Sequence, residues 1–455
     1  KHVIFNNGAH DSVGGQPTAG GVIDIPALAR ANGYQKTFFV QTKKELKKSI
    51  NQAKNTKGPV LIEIKVKSGA RTDLGRPTNT PQENKEALMG FLASAPSVSE
   101  GNSSEQLRDI LAKTRAKNIF LVTGKNSFES SGAKVKFEKV LSFCRVDRFS
   151  DFEANPNLKD LEKGLRLFKK KKYDLVLAIG GGSAIDMAKL INIFSVQTEH
   201  PLDYIKKEKP IKQKGPPLVA VPTTAGTGSE ATHFAVIYVD KTKYSVAHPY
   251  LLPEYFILDP SLTMTLPKHL VASTGMDALC QAIESFWSLQ ATESSRRYSL
   301  EALKLAINNL EKAVKKSTPE SKQAMLQAAH LAGKAINIAR TTAPHAISYT
   351  LTSRFGIPHG HAVGLTMGRI FVHNCLHNKK FVELYALLGV VSASSAGKKI
   401  DRLMQSIGLE TKLSRLGVKK EDLDLIANSV NLERLRNNPV AITKKRLKEI
   451  LRSIL

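Results

Sequence analysis

The sequence predicts three regions in succession: a short α/β segment, a larger α/β domain built on a mainly parallel sheet, and an all-α C-terminal region. Three observations predict this. Short β-branched or aromatic runs alternate with amphipathic stretches from residue 1 to 261, a Ser-rich stretch interrupts them near residue 100, and from 262 onward the strand-like runs stop.

In residues 1–93 the runs "HVIF", "TFFV" and "PVLIEIKV" read as strands, and "IPALARANG" and "KELKKSINQAKN" as helices. Residues 94–104, within "SAPSVSEGNSSE", have the Ser, Gly, Pro and Asn content of a linker. Over 105–261, "NIFLVTG", "YDLVLAIGGGS", "PLVAVPTT", "FAVIYVD" and "YFILD" are the expected strands, nearly continuous in apolar residues as buried parallel strands are. Over 262–455, segments such as "HLVASTGMDALCQAIESFW" and "PESKQAMLQAAHLAGKAINIA" carry apolar residues at helical spacing.

Composition excludes several function classes. The formal charge is +27, but the lysines are spread over every amphipathic segment and aromatics are only 6%, so no nucleic-acid module is expected. The positive field would instead draw in small anions. No apolar run approaches the roughly 18 residues of a membrane span. The three cysteines lack CxxC spacing and no export leader is visible, so a reducing, cytoplasmic setting is expected.

Two strand ends and two helices carry candidate chemistry. "LVLAIGGGSAIDMAK" puts Gly180, Gly181, Gly182 and Ser183 where a strand turns into a helix, so a diphosphate can approach backbone N–H groups. A tight turn alone also explains three glycines. The second motif, "VAVPTTAGTGSEAT", offers Thr223, Thr224, Thr227 and Gly228 at the same edge, and two such loops favour a nucleotide. In "GMDALCQAIES", Asp277 and Gln281 are four apart and share a helix face. His345 and His359 follow, fourteen apart, with a Gly-Ile-Pro turn before the second. A single His is usually structural, yet one carboxylate with two imidazoles can hold a catalytic divalent metal.

Through "GGGSAIDMAK", "VPTTAGTGSEAT", "LDPSLTMTLP", "GMDAL", the His345–His359 pair and "NNPVAITKKRL", residues 105–455 resemble the iron-containing (group III) alcohol dehydrogenase family. The resemblance implies a dehydroquinate synthase-like fold, with an α/β dinucleotide-binding domain (105–261), a helical metal-binding catalytic domain (262–455), and an active site in the cleft between them. It implies NAD(P)H and one divalent metal, Fe or Zn, held by Asp277, His345 and His359. It also implies Asn155, Asp186 and Lys243 as cofactor-binding positions. Gly124 and Lys125 stand where NAD-preferring relatives tend to carry Asp, so NADPH is expected to serve at least as well as NADH. Two positions depart from the family: the fourth ligand, normally His, is Gln281, and a further active-site His is Tyr349. Tyr349 either donates a proton or packs.

Asn6-Asn7, with "NNGAHDSVGGQPT" and "GARTDLGRPTNTP", resembles the end of a thiamine-diphosphate-binding domain, that of phosphonopyruvate decarboxylase and its sulfopyruvate relatives. There Asn7 and the Ala9 carbonyl would ligate the Mg²⁺ on the diphosphate. The GDG half of that motif is absent, so residues 1–93 are expected to be a partial domain, with thiamine diphosphate and Mg²⁺ bound only in an intact parent.

Such decarboxylases release phosphonoacetaldehyde, and the dehydrogenase part resembles the phosphonoacetaldehyde reductase branch through "ALCQAIES" and "TTAPHAISY". The expected activity is therefore metal-dependent, NAD(P)H-linked reduction of this aldehyde by a homo-oligomer. Reduction of another short aldehyde, or a chiefly decarboxylating parent, are the alternatives. A buried phosphonate needs cations. Arg340, five residues before His345, is the first candidate, with Thr341 and Thr342 beside it, and Arg296 and Arg297 are weaker ones.

Overall fold

The computed structural model describes residues 1–11, 15–69, 80, 83–84, 102–240, 242–378, 381–430 and 432–455. Most of "GARTDLGRPTNTP" and of the expected linker 94–104 lies outside them. Ser103 and Ser104, at the linker's end, already form the first turn of a helix, because the Asn102 side chain accepts from Ser104 N–H and caps it. The chain divides into two compact units, 1–85 and 86–455. No helix among the described residues is long and apolar enough to cross a membrane.

In the first unit, strands β1 (His2–Asn6), β2 (Lys36–Val40) and β3 (Val60–Lys65) form a parallel sheet of order β1-β3-β2. Helix α1 (Ile25–Ala31) is capped by Asp24, and α2 (Lys43–Lys54) by a Thr42–Glu45 capping box. Asn6 donates to Glu63 at 2.6 Å, and the Asn7 side-chain oxygen accepts from Ala9 N–H at 3.1 Å.

Among its described residues, the second unit opens with α3 (Ser103–Thr114), followed by a five-stranded, all-parallel sheet. Its strands are β4 (Asn118–Thr123), β5 (Arg145–Phe149), β6 (Leu175–Gly180), β7 (Leu218–Pro222) and the two-residue edge β10 (Tyr255–Phe256), in the order β10-β7-β6-β4-β5. Every residue of β6 and β7 is buried, as strands covered on both faces require. Helices α4 (Ala133–Leu141), α5 (Leu158–Phe168) and α6 (Gly182–Phe194) supply crossovers and cover. Strand order reverses between β4 and β6, so their carboxyl ends, at Gly124 and Gly181, flank the crevice where open α/β sheets bind ligands.

Two strand readings need correction. "FAVIYVD" does not join the parallel sheet: β8 (Phe234–Val239) pairs antiparallel with β9 (Thr242–Ala247) in a separate hairpin. The edge strand β5, "RVDRF", was missed because its polar sequence lacks the apolar run of its neighbours.

The remainder is helical: α7 (Lys268–Trp287), α8 (Glu293–Lys315), α9 (Pro319–Ala339), α10 (Ala343–Phe355) and α11 (His359–His377), then α12 (Ala393–Ser406) and the short α13 (Leu432–Arg436). Helix α7 is buried along most of its length, with Met276, Leu279 and Ile283 in one apolar core. Helix α11 can approach it only because residue 360 is Gly: a Cβ there would lie 1.9 Å from the Ser273 carbonyl oxygen and 2.8 Å from Asp277 Cβ.

Candidate active site

A cavity of about 1140 Å³ runs through the second unit from the sheet's carboxyl edge to α7, α10 and α11. Its sheet end is lined by Gly124, Lys125, Asn155, Gly181, Gly182, Ser183, Thr224 and Thr227. Gly181 caps α6 without a side chain, leaving the helix's first N–H groups towards the cavity. The two loops touch: a Cβ on Gly182 would come within 2.7 Å of Thr227 Oγ1. Asn155 holds φ 65°, and its N–H donates to Ser183 Oγ at 3.3 Å. Lys125 pairs with Glu153 at 2.8 Å, so its charge already has a carboxylate partner.

Three sheet-end candidates take other roles. Gly180 is the last residue of β6, and its carbonyl accepts from Thr223 N–H at 2.9 Å. Thr223 is buried and does not line the cavity, because along a strand end it faces away from Thr224. Asp186 reaches the cavity, yet its carboxylate accepts from Ser229 Oγ at 2.5 Å and Val236 N–H at 2.9 Å, tying α6 to the second loop and β8.

At the helical end, Asp277, His345 and His359 bring ligand atoms within 4.8 Å of one another. Asp277 projects from mid-α7, and Pro344 and the first turn of α10 set His345. Gly356, at φ 68°, ends α10 so that Ile357 and Pro358 lead into His359 as the first residue of α11. His345 Nε2 lies 3.2 Å from Asp277 Oδ1, and His359 Nδ1 lies 3.4 Å from Ser348 Oγ.

Burial opposes the His345 imidazolium, but Glu284 and Asp277 outweigh it and push His345 up to about 9. His359, desolvated and facing Lys243, is pushed down to about 3. Burial would raise the Asp277 carboxyl, but the two imidazoles hold it below its ordinary value.

The donor set fits a divalent metal. Gln281, one turn after Asp277, lines the cavity with its buried Oε1 unmatched by any hydrogen-bond donor, while its Nε2 donates to the Thr227 carbonyl at 3.4 Å. A carboxylate, two imidazoles and a stranded amide oxygen suit a borderline cation such as Fe²⁺ or Zn²⁺.

Sequence reasoning missed Glu284. Fully buried, it accepts from Thr342 N–H and Oγ1, both at 2.9 Å, and bonds Nδ1 of His345. Its spacing was the available signal: Asp277, Gln281 and Glu284 are i, i+4 and i+7 on one helix. Thr342 thus serves Glu284 and is sealed off, also accepting from Trp287 Nε1 at 3.0 Å, while Thr341 lines the cavity.

Arg340 does line the cavity. It ends α9 at φ 61°, ψ 176°, a backbone region that costs a non-Gly residue about 1–3 kcal/mol. Arg296 and Arg297 do not reach the cavity: Arg296 donates to the Phe286 carbonyl, and Arg297 lies over the Tyr298 ring. Tyr349 lines the cavity and stacks against His359, ring centroids 6.2 Å apart. Lys243 Nζ sits 3.8 Å above the Tyr349 ring, and desolvation pushes Lys243 down to about 8 despite Asp277 and Asp186. Arg434, from α13, is a further cavity residue that the sequence reading overlooked.

Residues 96–260 match the family described as iron-containing alcohol dehydrogenase, and residues 271–455 match its C-terminal region. Long-chain-alcohol dehydrogenase 1 of Geobacillus thermodenitrificans is 31% identical over 305 residues, covering 64% of this chain and 77% of that protein. The chain belongs to the iron-containing alcohol dehydrogenase family. As a member it is a metal-binding, NAD(P)-dependent oxidoreductase. A phosphonoacetaldehyde reductase of Streptomyces viridochromogenes is 32% identical over 309 residues, 63% of this chain and 77% of the relative. Among solved structures, a sulfoacetaldehyde reductase from Bifidobacterium kashiwanohense in complex with NAD+ superposes with a TM-score of 0.74 at 31% identity, covering 78% of this chain and 95% of that one. Residues 1–64 match the C-terminal TPP-binding domain of thiamine pyrophosphate enzymes.

Proposed function

We propose that this dehydrogenase reduces phosphonoacetaldehyde to 2-hydroxyethylphosphonate with NAD(P)H. One observation carries the reading: the cavity that holds Asp277, His345 and His359 is also lined by Lys243, Arg340 and Arg434. Three cations beside a metal triad suit an aldehyde that carries a separate anionic group. The similarity to a phosphonoacetaldehyde reductase supports it. So does the likeness of the N-terminal segment to phosphonopyruvate decarboxylase, whose product would be this aldehyde.

Asp277, His345, His359 and Gln281 would hold the metal, which supplies Lewis acidity to the aldehyde oxygen. NAD(P)H, held by Gly181, Gly182, Thr224 and Thr227, supplies the hydride. Tyr349 closes the site beside His359. Burial holds the proton on the Tyr349 hydroxyl, which stands ready to donate it to the forming alcohol.

Following nicotinamide absorbance with phosphonoacetaldehyde, sulfoacetaldehyde and propanal tests the reading. The highest kcat/KM is expected for phosphonoacetaldehyde. A higher value for propanal would overturn it. The sulfoacetaldehyde reductase likeness favours the sulfonate analogue as the second reading.

A further inference from the structure

Lys189, in the middle of α6, is 1% exposed and does not line the cavity, yet five oxygens surround its ammonium. Nζ donates to the carbonyls of Ser229, Thr232 and Phe234 at 2.5, 2.8 and 3.0 Å, and lies 3.1 Å from the hydroxyls of Ser229 and Thr232. A buried ammonium is costly unless its protons meet acceptors. Here every one of those acceptors comes from the short segment 229–234, which leads from the second cofactor loop into β8.

That segment is part of the cavity wall. Ser229, Thr232 and Phe234 line the cavity, just beyond Thr227. One turn before Lys189, Asp186 accepts from Ser229 Oγ and the Val236 N–H, so two side chains of one helix hold the same segment. Helix α9 meets it too: a Cβ at Gly228, where φ is 60°, would lie 2.5 Å from Gly333 Cα, and Glu230 Oε1 lies 3.2 Å from His330 Nδ1. The N-terminus of α6, at Gly181 and Gly182, forms the first cofactor loop. One helix therefore carries the first loop at its start and fixes the continuation of the second through Lys189.

Resting on the placement of NAD(P)H between these two loops, we propose that Lys189 is a positioning residue for the dinucleotide. From behind the cavity wall its ammonium holds segment 229–234, and with it Thr227, at the spacing the cofactor needs. It touches neither cofactor nor substrate. Its effect falls on dinucleotide affinity and not on the metal, whose ligands stand on α7, α10 and α11.

Lys189→Met keeps the side chain's length and removes its charge. The NADPH dissociation constant, read by nicotinamide fluorescence titration, and KM for NADPH should each rise roughly 10- to 100-fold, as when buried carbonyls lose a charged donor. At saturating NADPH, kcat should stay within about 3-fold of wild type, with metal content unchanged. Ser229→Ala and Thr232→Val each remove one of the five oxygens and should raise the dissociation constant about 2- to 5-fold. If Lys189→Met does not fold, these two variants carry the test, and normal NADPH binding by both overturns the assignment. A folded Lys189→Met protein that binds NADPH as the wild type does also overturns it. So does one in which affinity, kcat and metal content fall together, the mark of a merely structural lysine. The double variant Thr224→Val/Thr227→Val tests the placement itself. If it binds NADPH normally, the second loop is not the cofactor's seat and the underlying reading falls. If it binds weakly while Lys189→Met binds normally, only the role of Lys189 is lost.

Discussion

The Glu284 carboxylate bonds Nδ1 of His345 and so directs the opposite ring nitrogen at Asp277, 3.2 Å away. Glu284 also takes both the N–H and the hydroxyl of Thr342, so the first turn of α10 and the imidazole are held by one anchor. A ligand imidazole fixed through its second nitrogen keeps its tautomer and orientation when the metal arrives. Glu284→Gln preserves shape but removes the charge facing His345. Metal affinity should drop about 10- to 100-fold. Metal content after dialysis against a weak chelator, read by atomic emission, checks this, and unchanged retention would remove Glu284 from the site.

His359→Ala and His345→Ala should each abolish aldehyde reduction while leaving dinucleotide binding nearly intact. The imidazoles come from α10 and α11, whereas the cofactor loops end β6 and β7. Nicotinamide fluorescence titration separates the two effects. A chelated, metal-free sample that still reduces aldehyde at the full rate would show that the triad has been misassigned.

That Asp277, His345 and His359 would gather was expected from the family resemblance, since 68 residues separate Asp277 from His345. Asp277 and Gln281 follow from helical period, and the Gly-Ile-Pro turn announces His359. That two strand ends rich in glycine and threonine would line one cavity was legible, although strand alternation turns Thr223 inward and Thr224 outward. Arg434 was not legible: it lies 75 residues beyond His359, on a five-residue helix with no motif of its own. The β8–β9 hairpin escaped for a related reason, since an apolar run such as "FAVIYV" does not reveal which partner strand it will pair with.

Cofactor choice should turn on the Lys125–Glu153 pair. A Cβ at Gly124 would lie 2.3 Å from Ser127 Oγ, so an acidic residue there would require Ser127 to move. Lys125 extends beside this position but is engaged by Glu153 at 2.8 Å, with both side chains well exposed. Glu153→Gln releases the ammonium and removes a charge that repels a 2′-phosphate. The ratio of kcat/KM for NADPH over NADH should rise roughly 2- to 5-fold, the scale of an exposed ion pair. A fall in that ratio would show that Glu153, not Lys125, faces the ribose.

Acid should loosen the second unit through Asp259. This carboxylate caps the turn after β10, accepting from Ser261 N–H at 2.9 Å, and it also holds Ser103 at the start of α3 and Lys136 of α4. Burial alone would raise its carboxyl, but Lys136, Ser103 and Ser261 together bring it below the ordinary carboxylate value. A carboxyl held low in the folded state binds its proton more readily once unfolded. Its stabilising contribution is therefore complete above about pH 4 and is lost as pH falls through the lowered folded value. Asp259→Asn should cost about 1–3 kcal/mol at pH 7, since it leaves Lys136 facing a neutral amide. Thermal melts of both proteins between neutral pH and about pH 3 provide the check. The gap in Tm should narrow steadily as the wild-type carboxylate is protonated, and a gap that stays constant to the acid end would mean that Asp259 acts through packing and not through its charge.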